Sequence, residues 1–149
     1  MDIENKVREM EDRNSIRELI DAYAYCADTR DVQGQMALFT EDTNFVVFMD
    51  AKASQPTQVI NKRAGLFPVF DNLNNYRATM HFNGQNKVQL NGDVATGIAY
   101  CIAHHQTIEE ESVQKLMIAY MRYEDKFIKQ NGKWFFAERK LLVDWIENR

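Results

Sequence analysis

The chain has 149 residues, 45% of them hydrophobic, and its 22 acidic and 18 basic side chains give a net charge of −4. This length and composition predict one domain spanning residues 1–149, and they argue against a disordered chain or a basic surface for nucleic acid. The longest apolar runs fall far short of the ~20 residues that span a bilayer, so no membrane helix is expected.

The N-terminus lacks the basic start and the apolar stretch of a signal peptide, so we expect a cytoplasmic protein. The two cysteines, Cys26 and Cys101, have no metal-ligand spacing. In that compartment they are expected to be small buried groups rather than a disulfide or a redox pair.

The first predicted element is helical. Apolar residues recur at three- and four-residue steps from Ile3 to about Arg30, which predicts one amphipathic helix or two in succession. Ser15, followed three residues later by Glu18, is a capping box at which a second helix would begin. The helical segment is expected to end near residues 29–31.

The pattern is mixed after this helix. A short helical piece is expected around residues 32–39, and a polar stretch follows at 40–44. The apolar, β-branched run at 45–49 predicts a first strand.

Residues 51–58 are polar and are expected to form a loop. Residues 59–70 have helical spacing, and Gly65 and Pro68 within them indicate a short or kinked element. We expect this element to lie near the mouth of the fold.

From residue 77 onward the apolar pattern has a period of two, which predicts a sheet. The Asn-Gly pairs at 91–92 and 131–132 indicate tight hairpins, because both residue types tolerate a positive φ, whereas the pair at 83–84 indicates a bulge. Residues 109–111, three glutamates, are expected in a solvated loop. Helices followed by long strands predict an α+β fold. The expected strands cover residues 77–90, 94–105, 112–129 and 133–146.

One predicted strand has two unlike faces. One face carries Val94, Thr96, Ile98, Tyr100, Ile102 and His104. The other face carries Ala95, Gly97, Ala99, Cys101, Ala103 and His105. The face of small side chains leaves room either for close packing of the first helix or for a ligand cavity with His105 at its end, and both alternatives stay open.

Four titratable residues are candidates for chemistry. Asp28 lies near the C-terminal end of the helix, where a negative charge opposes the helix dipole, so solvent exposure or a functional partner must explain it. His81 lies between apolar residues of a strand and is either a satisfied imidazole or a catalyst. His104 and His105 point to opposite faces of their strand, so only one can face a given cavity. The spacings match no zinc site, phosphate loop or nucleophile elbow.

The order of elements and motifs spread over nearly the whole chain resemble the SnoaL-like proteins of the nuclear-transport-factor-2-like superfamily. The resemblance implies a cone-shaped, cystatin-like α+β fold, in which N-terminal helices pack on a curved, mostly antiparallel sheet around a pocket. The matching segments are Ile16–Tyr23 leading to Asp28, Leu38–Asp42, Thr79–Phe82, Gly92–Ala95, Tyr100–His105, Tyr123–Phe127 and Asn131–Arg139.

Members of this superfamily differ in function. They include polyketide cyclases, scytalone dehydratase, hexachlorocyclohexane dehydrochlorinase, bile-acid dehydratase, ketosteroid isomerase, binding proteins and non-catalytic dioxygenase β subunits. In the dehydratase and dehydrochlorinase branch an Asp at the end of the helix orients a His on the first long strand, and Asp28 and His81 fall on these positions. By the same resemblance, His105 corresponds to a second pocket histidine and Tyr23 to a pocket tyrosine.

The chain departs from scytalone dehydratase at the positions that hold the substrate. Ala27 replaces the tyrosine before the Asp, and the first-strand tyrosine falls near residues 47–48. A serine and an asparagine on the third long strand become Met121 and Tyr123. Scytalone itself is therefore not expected as the substrate.

The resemblance implies a dehydration, a β-elimination or a proton shift next to a carbonyl, with no metal or other cofactor. Asp28 would accept a hydrogen bond from one ring nitrogen of His81, and the other nitrogen would remove a proton from carbon. His105 or Tyr23 would donate a proton or a hydrogen bond to the leaving group or to the developing oxyanion.

An apolar pocket for a small hydrophobic molecule, cyclic or aromatic, is expected. Its candidate lining residues, which plain core packing would explain equally well, are Phe45, Val47, Leu66, Phe67, Phe70, Met117, Ala119, Met121 and Tyr123.

Two non-enzymatic alternatives stay open: a ligand-binding or accessory domain, and a structural subunit resembling dioxygenase β subunits. In the first, Asp28 and His81 would form only a buried hydrogen-bonded pair. The outer face of the sheet is too apolar for open water, so we expect a homodimer or homotrimer through it, and neither nucleic acid nor a membrane as a partner. The candidates on this face are Tyr100, Ile102, Leu116, Ile118 and Tyr120.

Overall fold

The computed structural model describes residues 2–110 and 113–149. Helix α1 runs from Ile3 to Asp28 without interruption, and the Asp2 side chain caps it by accepting a hydrogen bond from the Asn5 N–H at 2.8 Å. The capping box at Ser15 therefore starts no second helix. The buried stripe of α1 continues past Ser15 on one face of the helix, so the helix packs as one element.

Helix α2, Val32–Met36, and strand β1, Phe39–Phe48, follow. The predicted helical piece is three residues too long, and the polar stretch at 40–44 belongs to the strand. Its Thr43 side chain is fully buried and donates to the Ala137 carbonyl at 2.9 Å. Pairing with a distant strand thus determines a strand start that local composition does not indicate.

Strand β2, Gln58–Asn61, pairs antiparallel with β1. The predicted helix over 59–70 is therefore wrong at its beginning, since Val59 is exposed and Ile60 buried, the alternation of a strand. A 3-10 turn, Arg63–Leu66, helix α3, Phe67–Asp71, and a second 3-10 turn, Asn72–Asn75, complete this segment.

Four long strands form the rest of the sheet. Both predicted hairpins form, and Asn131 and Gly132 have the expected positive φ of 51° and 79°. In the first hairpin Asn91 pairs with Val94, so the turn residues are Gly92, with a φ of 63°, and Asp93. The register between the third and fourth strands shifts between Asn83 and Asn86, which confirms the bulge. These strands are β3 (Ala78–Asn91), β4 (Val94–Glu110), β5 (Val113–Gln130) and β6 (Lys133–Asn148).

The sheet has the order β2-β1-β6-β5-β4-β3, and its pairs are antiparallel except β1 with β6. Strand β4 continues to Glu110, so the expected loop over 109–111 is wrong for its first two residues, and Glu111 lies outside the described residues. The α+β architecture is the expected one, with helices packed on a mostly antiparallel sheet.

The two faces of β4 differ as predicted. Ala95, Ala99, Cys101 and Ala103 are buried in one cluster with Ile16 and Ile20 of α1 among others, whereas Ile98, Tyr100 and Ile102 are exposed on the other face. Most of the small-residue face is therefore buried core rather than the wall of a cavity. Ile118, expected on the exposed face, is only 2% exposed and lies in register between His104 and Glu147.

Both cysteines are free, Cys101 buried and Cys26 partly exposed. Over the ranges that the structure describes, we find no helix with the length and apolar character needed to cross a membrane.

Candidate active site

A carboxylate and a histidine meet where α1 ends beside β3. Asp28 Oδ1 lies 2.7 Å from His81 Nδ1, and Asp28 Oδ2 accepts the His81 backbone N–H at 2.9 Å. Thr79 donates its hydroxyl to Asp28 Oδ1 at 2.9 Å. We refer to Asp28 and His81 as the dyad.

Asp28 is held in its ionised form. Burial acts to raise the pKa of this carboxyl, but the hydrogen bonds from the ring and backbone of His81 and from Thr79 outweigh burial and hold the pKa below its usual range. Because a carboxylate only accepts hydrogen bonds, His81 Nδ1 carries the proton. In the neutral form of the ring, Nε2 is then the nitrogen that carries the lone pair.

Hydrogen bonds join helix α1 to β3 at three places, and the dyad is one of them. The Asn83 side chain donates to Asp21 at 3.0 Å, and the Arg13 guanidinium donates to the Val88 carbonyl at 3.0 Å. These contacts fix the helix lengthwise on the strand. The last residue of α1 therefore lies beside the first residues of β3.

His81 lines a cavity of about 220 Å³ between α1 and the inner face of the sheet. Tyr23 and His105 also line it, so the cavity contains three of the four predicted catalytic side chains, and Asp28 lies behind His81. The predicted lining residues that do lie in its wall are Phe45, Val47, Phe70, Met117, Ala119, Met121 and Tyr123.

Leu66 and Phe67 lie elsewhere. Leu66 ends the 3-10 turn and is fully buried in the core, and Phe67 begins α3 and is 43% exposed. The prediction from helical spacing treated residues 59–70 as one element. In the structure, β2 and the 3-10 turn interrupt this segment, and the side chains of Leu66 and Phe67 therefore lie outside the cavity wall. Gln35, Gln58 and Asn72 add polar groups to the wall that the pattern did not indicate.

His105 lies beside the dyad. Its ring centroid is 5.8 Å from that of His81, and its Nδ1 is 3.4 Å from the Met117 carbonyl. Burial, followed by the neighbouring His81, lowers the pKa of His105, so this imidazole is neutral at neutral pH. His104 lies on the opposite face of β4, in register with Ile118.

Tyr23 lies at the centre of an aromatic cluster. Its ring centroid is 5.6 to 6.1 Å from those of Phe39, Phe70, Tyr123 and Phe136. Burial raises the pKa of Tyr23 to about 12, although the charge of Arg139 lowers it, and burial raises the pKa of Tyr123 well above its usual value. Both phenols are therefore protonated, and the side chain of Tyr123 hydrogen-bonds that of Tyr23.

A buried ion pair supports these tyrosines. Arg139 is 0% exposed and bonds Asp125 at 2.9 Å, and its guanidinium carbon lies 3.5 Å from the ring centroid of Tyr123 and 4.2 Å from that of Tyr23. Its Nη1 atom is buried with no hydrogen-bond partner in the described part of the chain. A guanidinium that is paired with a carboxylate thus lies behind the wall of the cavity.

The sequence analysis missed this pair. One signal was present, since Asp125 continues the inward alternation of Met121, Tyr123 and Phe127. The position of Arg139 was hidden, because Phe127 pairs with Phe136 but Lys126 pairs with Glu138, and the extra residue on β6 reverses its alternation.

The described residues contain no group of three His, Cys, Asp or Glu side chains that could hold a metal ion. The acid–base groups at the cavity are the dyad, the neutral His105 and the phenols of Tyr23, Tyr76 and Tyr123.

The family comparison agrees with the helix-and-sheet architecture. Residues 8–140 match the SnoaL-like domain. The chain belongs to the SnoaL-like family.

Solved structures share this fold over nearly the whole chain. A scytalone dehydratase-like protein from Novosphingobium aromaticivorans has a TM-score of 0.81 and 20% identity, and covers 95% of this chain and 89% of its own. A hexachlorocyclohexane dehydrochlorinase from Novosphingobium barchaimii has a TM-score of 0.79 and 12% identity, and covers 97% and 94%.

A protein assigned as the β subunit of an aromatic-ring-hydroxylating dioxygenase, also from N. aromaticivorans, has a TM-score of 0.76 and 18% identity, and covers 92% of both chains. No curated protein matches the chain. At these identities the likeness shows the fold, and the neighbours include both enzymes and a subunit.

Proposed function

We propose that this protein is a lyase or isomerase that needs no cofactor and acts on a small hydrophobic molecule. The observation that carries the proposal is the dyad, because the histidine whose Nδ1 is held by Asp28 also lines a mostly apolar cavity. A buried hydrogen-bonded pair with only a structural role needs no cavity beside it.

In the proposed reaction His81 Nε2 removes a proton from the carbon next to a carbonyl. The electron pair of the broken C–H bond forms an enolate, and Asp28 stabilises the imidazolium. Tyr23 donates a hydrogen bond to the enolate oxygen, and the Arg139 guanidinium packs against the Tyr23 ring on the side away from the substrate.

The enolate then collapses in one of two ways. In an elimination, the bond from the β carbon to the leaving group breaks with its electron pair, a C=C bond forms, and His81 returns the proton to the departing hydroxide as water. In an isomerisation, His81 returns the proton to a different carbon. The neutral His105 accepts a hydrogen bond from the substrate hydroxyl and orients it.

The cavity favours a neutral substrate of one ring. None of the described residues that line it is Asp, Glu, Lys or Arg, and the Arg139 guanidinium behind the wall is already paired with Asp125, so a carboxylate, phosphate or ammonium group would find no free counter-charge there. Its volume of about 220 Å³ lies below the roughly 300–1,000 Å³ of pockets for drug-sized ligands.

The competing proposal is a non-catalytic domain, either a ligand-binding protein or a subunit of a larger oxygenase. The structural likeness to a dioxygenase β subunit favours it. In this case the cavity would bind its ligand without any exchange of carbon-bound protons.

Exchange of solvent deuterium into a panel of monocyclic ketones and β-hydroxy ketones separates the two proposals. We expect exchange or elimination with the wild type, a loss of about 10²- to 10⁴-fold in His81→Ala, and no loss in His104→Ala, on the opposite face of the sheet. Equal rates in the wild type and His81→Ala would contradict catalysis, and co-purification with an oxygenase subunit would favour the alternative.

A further inference from the structure

Helix α1 ends in a conformation that usually selects glycine. The Asp31 N–H donates to the Cys26 carbonyl at 2.9 Å and the Arg30 N–H to the Ala27 carbonyl at 3.3 Å, which are the two bonds of a Schellman motif. Arg30 occupies the left-handed position of this motif, with a φ of 60°. Since a side chain is disfavoured there relative to glycine, an arginine at this position indicates a use for its side chain.

The Arg30 side chain connects the helix end to β3. Its Nη1 donates to the Ala27 carbonyl at 2.7 Å and to Thr79 Oγ1 at 2.7 Å. The Thr79 hydroxyl in turn donates to Asp28 Oδ1 at 2.9 Å, the oxygen that also faces His81 Nδ1. A continuous path of hydrogen bonds therefore runs from the guanidinium to the histidine ring.

The direction of every bond in this path is determined by its ends. A guanidinium only donates, so Thr79 Oγ1 must accept from Arg30, and its own proton can go only to Asp28. With that proton on one side, Asp28 Oδ1 accepts from His81 Nδ1 on the other. By donating to Thr79 Oγ1, Arg30 thereby directs the hydroxyl proton of Thr79 towards Asp28 Oδ1.

We propose that Arg30 and Thr79 are positioning residues for the dyad, with Arg30 acting through the Thr79 hydroxyl to keep Asp28 ionised and aligned with His81. Only the expected effect on catalysis rests on the proposed role of His81 as the base; the positioning itself does not. A helix cap would require only the hydrogen bond to the Ala27 carbonyl, so capping does not explain the additional hydrogen bond to Thr79. Neither Arg30 nor Thr79 lines the cavity.

The variant Arg30→Gly separates the backbone preference at this left-handed position from the role of the arginine side chain. The thermal midpoint should be retained or raised, because glycine suits the left-handed position, while the titration midpoint of the Asp28 carboxyl, followed by carbon-13 NMR, rises by about one pH unit. Asn131→Gly, at a φ of 51° in the β5–β6 hairpin, makes the same backbone change and should leave Asp28 unaffected. A lower thermal midpoint with an unchanged Asp28 titration would overturn the proposal and leave Arg30 as a helix cap.

Thr79→Val and Thr79→Ser test whether Arg30 acts on Asp28 through the Thr79 hydroxyl. Valine keeps the shape but loses the hydroxyl, so it should reproduce the rise of the Asp28 midpoint, and serine should not. Because Arg30 acts through Thr79, the effects of Arg30→Gly and Thr79→Val should be less than additive in the double variant. Full additivity, or a serine variant that behaves like valine, would overturn the route.

Two readouts separate this inference from the proposed function. Nitrogen-15 shifts of the His81 ring report whether Nδ1 carries the proton, and they require no substrate, so they test the positioning even if the wild type exchanges no deuterium. If the wild type is active, kcat should fall about 10-fold to 100-fold in Thr79→Val with KM nearly unchanged. A change confined to KM, with the His81 tautomer intact, would contradict the inference but not the proposed function.

Discussion

Asp28 and His81 lie 53 residues apart in the chain and are joined by two hydrogen bonds, one to the ring Nδ1 and one to the backbone N–H of the histidine. The second bond fixes the carboxylate to the strand itself. Rotation of the histidine side chain therefore leaves Asp28 in place, and the carboxylate is a fixed reference against which the ring is oriented.

Asp28→Asn should lower the rate of the proposed exchange reaction by about 10²- to 10⁴-fold, because an amide neither enforces the Nδ1–H tautomer nor stabilises the imidazolium. The measurement is deuterium incorporation by mass spectrometry, with binding of the same ketone measured by calorimetry. Retained binding with lost exchange is the expected result. Undiminished exchange in Asp28→Asn would remove the dyad from the mechanism.

Asp28 should also contribute to the loss of unfolding free energy at acidic pH. Its pKa in the folded chain is lowered from the ordinary value of ~3.9, so its contribution to the free energy of unfolding is present above that value and is lost as the pH falls through the lower, folded pKa. Urea unfolding between pH 7 and pH 3 should therefore show a shallower acid loss in Asp28→Asn than in the wild type. Parallel curves for the two proteins would contradict this expectation.

The Arg139–Asp125 pair should tolerate joint replacement better than single replacement. Both side chains are almost fully buried, so Asp125→Leu leaves an unpaired buried guanidinium and should cost about 3–5 kcal/mol of unfolding free energy. Adding Arg139→Met should recover part of the loss, since no buried charge then remains. Denaturant unfolding of the three variants measures the coupling, and a double variant less stable than the sum of the single losses would oppose this account.

The single variant Arg139→Met should depend on pH. Burial raises the pKa of Asp125 to about 6 in the folded chain, so the folded state binds this proton more tightly than the unfolded state. The contribution of Asp125 to stability therefore falls as the pH rises from about 4 to 6. Without Arg139 the variant should lose less stability at pH 5 than at pH 7, and the reverse order would be inconsistent with a buried carboxyl.

The exposed apolar face of the sheet should mediate self-association. Phe82 and Trp145 are 67% and 60% exposed there, and the Trp145 ring stacks on Tyr120 at 4.3 Å between centroids. Light scattering should give a dimer or a trimer for the wild type and a smaller species for Trp145→Glu. Met10→Glu, at a 70% exposed position of α1, is the matched control and should leave the mass unchanged. A monomeric wild type would contradict this prediction.

The predicted and observed strands agree best where a local signal is strong. The Asn-Gly hairpins set the ends of β3, β5 and β6 nearly to the residue, because positive φ at a two-residue turn is a local requirement. The strand at 58–61 was missed because four residues carry too little pattern, and its hydrogen bonds come from β1.

The sequence by itself determined the α+β class, which depends on local periodicity. It also carried the family resemblance, which depends on motifs at given positions and which implied that Asp28 and His81 are partners. Only the tertiary structure decided that Thr79 and Arg30 complete the dyad and that Arg139 lies behind the tyrosines. Both results depend on where α1 ends against β3 and on a bulge that reverses the alternation of β6. Contacts between distant segments create these relationships, and no local pattern records them.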